Sequence, residues 1–442
     1  KMKLKIIPPP SHIKSSRLLA RFQSSLPLID DLFIPKENKD PKHNEKLFGG
    51  IKTPTTQKLN IFDPLISPKW PVYRILDHDG SLIDGSVDPN IDPKISKKIL
   101  KTMIKLKVMD QILYSAQRQG RISFYMTSSG EEATQIGSAA ALDDSDMVFA
   151  QYREPGLLLW RNFTLQNIAD QCFSNLNDLG KGRQMPVHYG SNKHFYQTVS
   201  SPLATQIPQA VGAAYACKLK GSNQVPVCFF GDGAASEGDF HAAMNFASTL
   251  ECPIIFICRN NGYAISTPSK DQFRGDGIIS RAPGYGMLGI RVDGNDLLAV
   301  YSATKRAREV ALKKNRPILI EAMTYRVGHH STSDDWMRYR DEKEVKMWEN
   351  EEDPLPRFSK YLINQGICSS KFIEDFMIEE KTEVIEAIKQ AEAKAKPCLT
   401  TMFHDVYKNM PKNLIEQQEN LFSHVKKYPE TYPDIHEIRQ EW

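Results

Sequence analysis

Apolar residues along this chain fall into two kinds of pattern. Over residues 93–119 they recur at helical spacing, at Ile95, Ile99, Met103, Leu106, Met109 and Leu113, and Gly120 follows as a stop. That spacing predicts one long amphipathic helix. The middle of the chain instead carries short unbroken apolar runs, at 147–150, 225–230, 253–258 and 318–323. Runs of this length without alternation suit strands buried on both faces, as in a parallel sheet covered by helices. A helical pattern over 237–250 lies between two of them. Beyond about residue 340 the chain becomes charged, and Phe372, Phe376, Val384, Ile388 and Ala391 predict amphipathic helices that serve packing and assembly. The expected fold class is α/β, a mainly parallel sheet flanked by helices over residues 91–335, followed by a helical C-terminal region over 336–442. Residues 31–90, rich in Pro, Asp, Lys and Asn with few apolar clusters, read as an extended arm.

Each apolar run ends in a polar cluster. The clusters are Gln151-Tyr152-Arg153, then Gly231-Asp232-Gly233, then Arg259-Asn260-Asn261-Gly262, and last Thr324-Tyr325-Arg326 leading to His329-His330. In an open α/β sheet ligands bind beyond the carboxyl ends of the strands, so all four clusters are expected on one edge. There the Asp232 carboxylate and the Asn261 amide oxygen could meet. Hard oxygen ligands of this kind suit magnesium, which takes water and phosphate oxygens for its remaining positions. The glycines let the backbone come close to a ligand. A dinucleotide turn fits less well. Ser236 stands where Gly-x-Gly-x-x-Gly needs its third glycine, and an acid inside the turn would repel a diphosphate unless a cation lay between them. Arg153 and Arg259 can pair bidentately with phosphate, although a lone arginine is more often a salt-bridge partner.

Composition narrows the class further. Of the 442 residues 40% are hydrophobic, ordinary for a globular protein, and no apolar run is long enough to cross a bilayer. A net charge of +4, with no zinc-finger or RNA-binding signature, does not argue for nucleic acid. Seven cysteines without a Cys-x-x-Cys pair read as reduced, buried thiols. Residues 1–29 hold six Lys or Arg and no Asp or Glu, mixed with Ser and apolar residues. This is the composition of a mitochondrial transit peptide, expected over residues 1–30, and implies the mitochondrial matrix.

An Asp-Gly pair followed by Asn-Asn at this spacing is the signature of thiamine-diphosphate enzymes. The segments GKGRQMPVHYG (180–190), SSPLATQIPQAVGAAYA (200–216), FFGDGAASEGD (229–239), ECPIIFICRNNGYAISTP (251–268) and EAMTYRVGHHSTSDD (321–335) sharpen the match. They resemble the alpha chain of the decarboxylating component of the branched-chain 2-oxoacid dehydrogenase. The resemblance runs from about Phe62 to near the C-terminus. It implies the thiamine-diphosphate-binding fold and oxidative decarboxylation of branched-chain 2-oxoacids, with acyl transfer to the lipoyl arm of a transacylase core. Carried over residue by residue, it implies that Asp232, Asn261 and the Tyr263 carbonyl hold magnesium. It places Tyr152, Arg153, Ser201, Gly233, Ala234, Arg259 and His330 at the cofactor, with His330 aiding acyl transfer. Many relatives have Glu where Asp232 stands. Ser200, Pro202, Thr205 and Gln206 match a potassium-binding loop; without the resemblance that loop reads as a helix N-cap. Phe124 and Leu203 correspond to positions near the acyl pocket, though core packing explains them nearly as well.

The implied partners are a beta subunit in an α2β2 heterotetramer, the transacylase core, and a regulatory kinase and phosphatase acting at Ser331. The family's second phosphosite falls on Asp341, which cannot be phosphorylated. A pyruvate dehydrogenase alpha chain is the alternative within the class. Its relatives typically read His-Ser-x-Ser-Asp-Pro, where this chain has His-His-Ser-Thr-Ser-Asp-Asp. A non-catalytic scaffold of the same fold is the alternative outside it.

Overall fold

The computed structural model describes residues 45–48, 51–54, 59, 63 and 68–432. The segment 1–30, read as a transit peptide, lies outside the described residues. Two units divide the chain, residues 1–62 and residues 63–442. In the first, β1 (Glu45–Phe48) and β2 (Ile51–Pro54) form an antiparallel hairpin.

The second unit opens with a segment that joins the sheet edge and then enters helix α1 (Pro93–Arg118). Asp92 caps α1 by accepting from Lys94 N at 2.8 Å, and Pro93 supplies a φ suited to the first turn. The predicted apolar stripe is buried at Ile99, Met103, Leu106, Met109 and Leu113, whereas Ile95, in the first turn, is exposed. There follow α2 (Glu132–Ala141), β3 (Val148–Phe149), α3 (Pro155–Trp160), α4 (Leu165–Cys172) and α5 (Gln206–Lys220). Next come β4 (Val227–Gly231), α6 (Gly238–Thr249), β5 (Ile255–Asn260), a small hairpin of β6 (Tyr263–Ala264) and β7 (Thr267–Pro268), and the single turn α7 (Ser269–Gln272). The unit continues through β8 (Leu288–Asp293), α8 (Leu297–Lys314) and β9 (Ile318–Met323) to the helices α9 (Glu342–Asn350), α10 (Pro354–Asn364), α11 (Ser370–Glu392) and α12 (Lys412–Lys427).

Five strands make one sheet in the order β3-β4-β5-β9-β8, and every pairing is parallel. The unbroken apolar runs now have their cause. On β4, Val227 and Phe229 face a core shared with α1, α2, α3 and α8, while Cys228 and Phe230 face a second core built with α5 and α6. With both faces covered, alternation has no polar side to mark. Parallel pairing also sets the register: Gly231 lies beside Arg259, and Arg259 beside Ala322, so the polar clusters leave the sheet at one level.

Strand β8 escaped the sequence reading. Its sequence Leu-Gly-Ile-Arg-Val-Asp is broken by Gly289 and Arg291, so no apolar run marks it. Arg291 is buried nevertheless, because its Nε pairs with Glu321 at 3.0 Å and its Nη1 with Asp276 at 3.0 Å. Tyr73 extends the edge beyond β8 by a parallel bridge to Val292. All the cysteines but Cys368 are buried. Among the described residues no helix is long and apolar enough to cross a membrane. Helix α11 packs along α1 and α4, and α10 packs on α1, which ties the C-terminal helices to the first core.

Asp296 fastens the edge segment to this sheet. Its buried carboxylate caps α8 through Ala299 N at 3.0 Å and accepts from the backbone of Ile75 at 2.6 Å and Leu76 at 2.7 Å. Asp296→Ala leaves those buried donors unpaired, at about 1–3 kcal/mol for each. A lower urea midpoint by denaturation, corresponding to a loss of about 3 kcal/mol, is the expected outcome.

Candidate active site

The carboxyl ends of β3, β4, β5 and β9 carry a continuous polar network. At the end of β4 the Asp232 carboxylate is buried and accepts from Gln272 Nε2 at 2.7 Å and from Ser269 Oγ at 3.4 Å, both on α7. Burial raises its pKa above the usual carboxylate value, and the hydrogen bond from Gln272 only partly offsets this. Among the described residues no basic side chain pairs with Asp232. Gly233 follows, and a Cβ there would come within 2.8 Å of the Ala264 Cβ, so only glycine lets β4 turn this close to the β6 hairpin. Ala234, wholly buried, begins the single turn that leads into α6.

At the end of β5 the Arg259 guanidinium is buried between two carboxylates. Its Nη1 pairs with Glu131 Oε2 at 2.5 Å, and its Nε pairs with Glu154. Asn261 donates from Nδ2 to Glu131 Oε1 at 2.8 Å, and its Oδ1 accepts from Tyr263 N at 3.3 Å. Burial pushes the Glu131 carboxyl up, but Arg259 and Arg153 outweigh it and leave the pKa below the ordinary value. For Glu154 burial wins over Arg259 and the pKa is raised.

Arg153, at the end of β3, donates from Nη1 to Thr127 O at 2.6 Å and from Nη2 to His330 O at 2.5 Å. His330 Nδ1 lies 3.3 Å from Arg153 Nη2 and 3.2 Å from Arg326 Nη1. A guanidinium only donates, so Nδ1 is the acceptor and a neutral His330 carries its proton on Nε2. Burial, reinforced by the two arginines, lowers its pKa to about 3. The Tyr152 ring meets the imidazole edge-on, with centroids 6.2 Å apart. The loop beyond is knotted on Asp334, which accepts from His330 N and from the Tyr339 hydroxyl, each at 2.6 Å. Ser331 is half-buried beside this knot, and its carbonyl accepts from Asp334 N at 3.2 Å.

The remaining site candidates lie on the segment before α5 and near α1. Ser201 pairs with His188 Nε2 at 2.8 Å. In the turn from Ser200, exposed at Ser201, Pro202 and Leu203, the Thr205 hydroxyl donates to the Pro202 carbonyl at 3.2 Å, and Gln206 Nε2 donates to Phe229 O on β4 at 2.9 Å. Leu203 is 37% exposed, and Phe124 is half-buried against the first core. Neither enters the hydrogen-bonded network at the strand ends.

The dehydrogenase E1 component family matches residues 100–400. The chain is 54% identical over 389 residues to the human protein named 2-oxoisovalerate dehydrogenase subunit alpha, mitochondrial, covering 88% of this chain and 87% of that one. Its identity to the Caenorhabditis elegans protein of the same name is 50% over 431 residues, covering 97% and 99%. With 2-oxoisovalerate dehydrogenase subunit alpha 2, mitochondrial, of Arabidopsis thaliana it is 51% over 391 residues, covering 88% and 83%.

The chain belongs to the dehydrogenase E1 component family.

E1 membership implies thiamine diphosphate, a beta subunit and a transacylase as partners, and the expected parallel sheet is the E1 fold. Several residues of this network were not singled out from sequence: Glu131, Glu154, Ser269 and Gln272. Glu154 directly follows Gln151-Tyr152-Arg153, and a charged residue at a buried strand end is a signal of its own. Glu131 gave a weaker one, since Gly130-Glu131-Glu132 reads equally well as an exposed helix start. The donor set fits a metal-bridged diphosphate. No group of three or more His, Cys, Asp or Glu able to hold a metal occurs among the described residues. Asp232 with an amide and a carbonyl oxygen could hold magnesium only if phosphate oxygens and water completed its shell.

With a pKa near 3 in place of the usual 6.5, His330 stays neutral in the folded chain while the unfolded chain takes up a proton below pH 6.5. Its contribution to stability is therefore complete above pH 6.5 and is lost as the pH falls from there toward 3. In histidine-labelled protein the His330 resonance is expected to stay flat between about pH 5 and 8. A midpoint near the ordinary histidine value would contradict the two-arginine environment.

Proposed function

We propose that the chain is the alpha subunit of the 2-oxoisovalerate dehydrogenase component of the branched-chain 2-oxoacid dehydrogenase complex, acting in the mitochondrial matrix. It catalyses oxidative decarboxylation of branched-chain 2-oxoacids with acyl transfer to a lipoyl group. One observation supports this above the others: parallel strand ends gather a buried carboxylate with no basic partner among the described residues, an amide oxygen and two guanidinium groups at one level, in a chain matched over nearly its whole length by a protein of that name.

When bound, thiamine diphosphate supplies the electron sink for loss of carbon dioxide. Asp232, Asn261 and the Tyr263 carbonyl would hold magnesium, and Arg153 and Arg259 would face phosphate oxygens. Tyr152, Ser201, Gly233 and Ala234 complete the cofactor's surroundings. His330 presents a neutral Nε2–H, a hydrogen-bond donor that would orient the acyl group as it passes to the lipoyl group. The turn from Ser200 through Pro202 to Thr205 and Gln206 would take potassium; the approach of the Thr205 hydroxyl to the Pro202 carbonyl already sets two oxygens side by side. Phe124 and Leu203 would border the acyl pocket, where one methylene is worth about 1–3 kcal/mol, so selectivity is graded. The residues divide as an extended arm over 31–90, a cofactor domain over 91–335 and a helical region over 336–442.

The sheet organises only the diphosphate end of a cofactor. A glutamate that activates the aminopyrimidine must then come from a beta chain, giving an α2β2 heterotetramer with sites at the interfaces. The test uses that assembly. It is expected to turn over 2-oxoisovalerate in preference to pyruvate, and Asp232→Ala is expected to abolish thiamine-diphosphate binding by calorimetry while leaving the fold intact. Unchanged affinity in the variant, or a preference for pyruvate, overturns the reading.

A kinase and a phosphatase would act on Ser331. A phosphate there adds about −1.5 to −2 charge next to Asp334 and Asp335. Asp334 already holds the loop through His330 and Tyr339, so repulsion would act on the knot itself. Ser331→Glu is expected to lower overall activity of the assembled complex and to raise protease cleavage within residues 328–340. Unchanged activity and cleavage would remove Ser331 as a switch.

A further inference from the structure

The buried carboxylate of Glu131 has no place among the cofactor-binding groups, yet two of them converge on it. Its Oε1 accepts from Asn261 Nδ2 at 2.8 Å, and its Oε2 accepts from Arg259 Nη1 at 2.5 Å. We infer that Glu131 is a positioning residue that locks the metal-binding amide and the phosphate-binding guanidinium into one rigid unit.

This role rests on the proposed cofactor site and on donor chemistry. Both Glu131 oxygens accept, so the group facing them on Asn261 has to be the NH2 and not the oxygen. That choice turns Asn261 Oδ1 to the other side, where it meets Tyr263 N at 3.3 Å and can serve a cation. Flipping the amide would set oxygen against oxygen. The same carboxylate, with Glu154, fixes two edges of Arg259. Among the described residues Arg259 Nη2 has no protein partner, which leaves one edge of a buried guanidinium for an anion. Glu131 acts at a distance from the ligand, through Asn261 and Arg259.

Its own base is rigid. Gly130 sits at φ +93°, and a Cβ there would come within 2.2 Å of the Tyr325 carbonyl oxygen. The Gly130 carbonyl accepts from Thr324 Oγ1 at 2.9 Å, and Glu131 N donates to Ser128 O at 2.9 Å. The carboxylate is thus delivered by backbone pinned to the segment that follows β9.

A merely structural Glu131 would neutralise Arg259 and support the fold, without acting on the metal through Asn261. The two roles separate in a double-mutant cycle on the full chain assembled with its beta partner. Magnesium is titrated calorimetrically with thiamine diphosphate present. Glu131→Gln keeps the shape but cannot accept on both sides, and is expected to weaken magnesium by about 10–100-fold. In an Asn261→Ala background the same change is expected to add about twofold or less, because the path is already cut. Glu131→Asp, which keeps the charge but shortens its reach, is expected to lose metal affinity with thermal stability retained, and it carries the test if Glu131→Gln does not assemble. Wild-type affinity in these variants, or effects of Glu131→Gln and Asn261→Ala that multiply in full, overturns the positioning role. Failure of the wild-type assembly to bind thiamine diphosphate overturns the cofactor reading instead.

Discussion

A guanidinium cannot be neutralised by giving up its proton at any accessible pH, so burying Arg259 obliges the fold to surround it with acceptors. Two carboxylates answer, one from the residue ahead of α2 and one from the residue ahead of α3. Breaking a buried pair by removing one partner is far costlier than never having made it. The start of two helices is thereby fixed to the end of the central strand. Much of the edge follows from that constraint. Asn261 is oriented by the same carboxylate, and Gln151, two residues from Arg153, accepts from Gly231 N at 3.0 Å to tie β3 to β4.

The parallel sheet makes such a constraint possible. Its strands are buried on both faces, so side chains inside it can only be apolar or fully paired. Polar chemistry is displaced to the carboxyl ends, where backbone leaves the sheet and the register brings neighbouring strands to one level. Glu321, paired with the buried Arg291 of β8, is an exception within the sheet. It stays buried by accepting from Asn260, Arg291 and the backbone of Ile278. That cluster keeps Asn260 occupied, which leaves the proposed ligand-facing role to Asn261.

Continuous apolar stretches revealed four strands, because two covered faces leave no other composition available. The fifth, β8, was hidden because a buried Arg291 looks polar until Glu321 and Asp276 are seen beside it. The same blindness applied at the site. Asp232, Asn261, Arg259 and His330 were legible as residue types at strand ends, and family resemblance sharpened their roles. Glu131 and Glu154 were not, since their meaning depends on partners 128 and 105 positions away in sequence (259 − 131 and 259 − 154), distances no local pattern encodes. Arg326 was noticed as a strand-end residue, but its effect on His330 required the loop to fold back over it. Ile95 went the other way: helical spacing predicted a core residue, and its place in the first turn leaves it exposed.

The buried cysteines carry a consequence for reactivity. Burial pushes the Cys172 thiol up to about 12 and the Cys252 thiol up to about 11, and the thiols of Cys228 and Cys258, inside the sheet, are also raised. The nucleophile toward alkylating and oxidising agents is the thiolate, so these sulfurs are chemically quiet while the core is closed. In a compartment rich in oxidants the folded molecule is shielded at these positions, and reaction at one of these four sulfurs marks a molecule whose core has already opened.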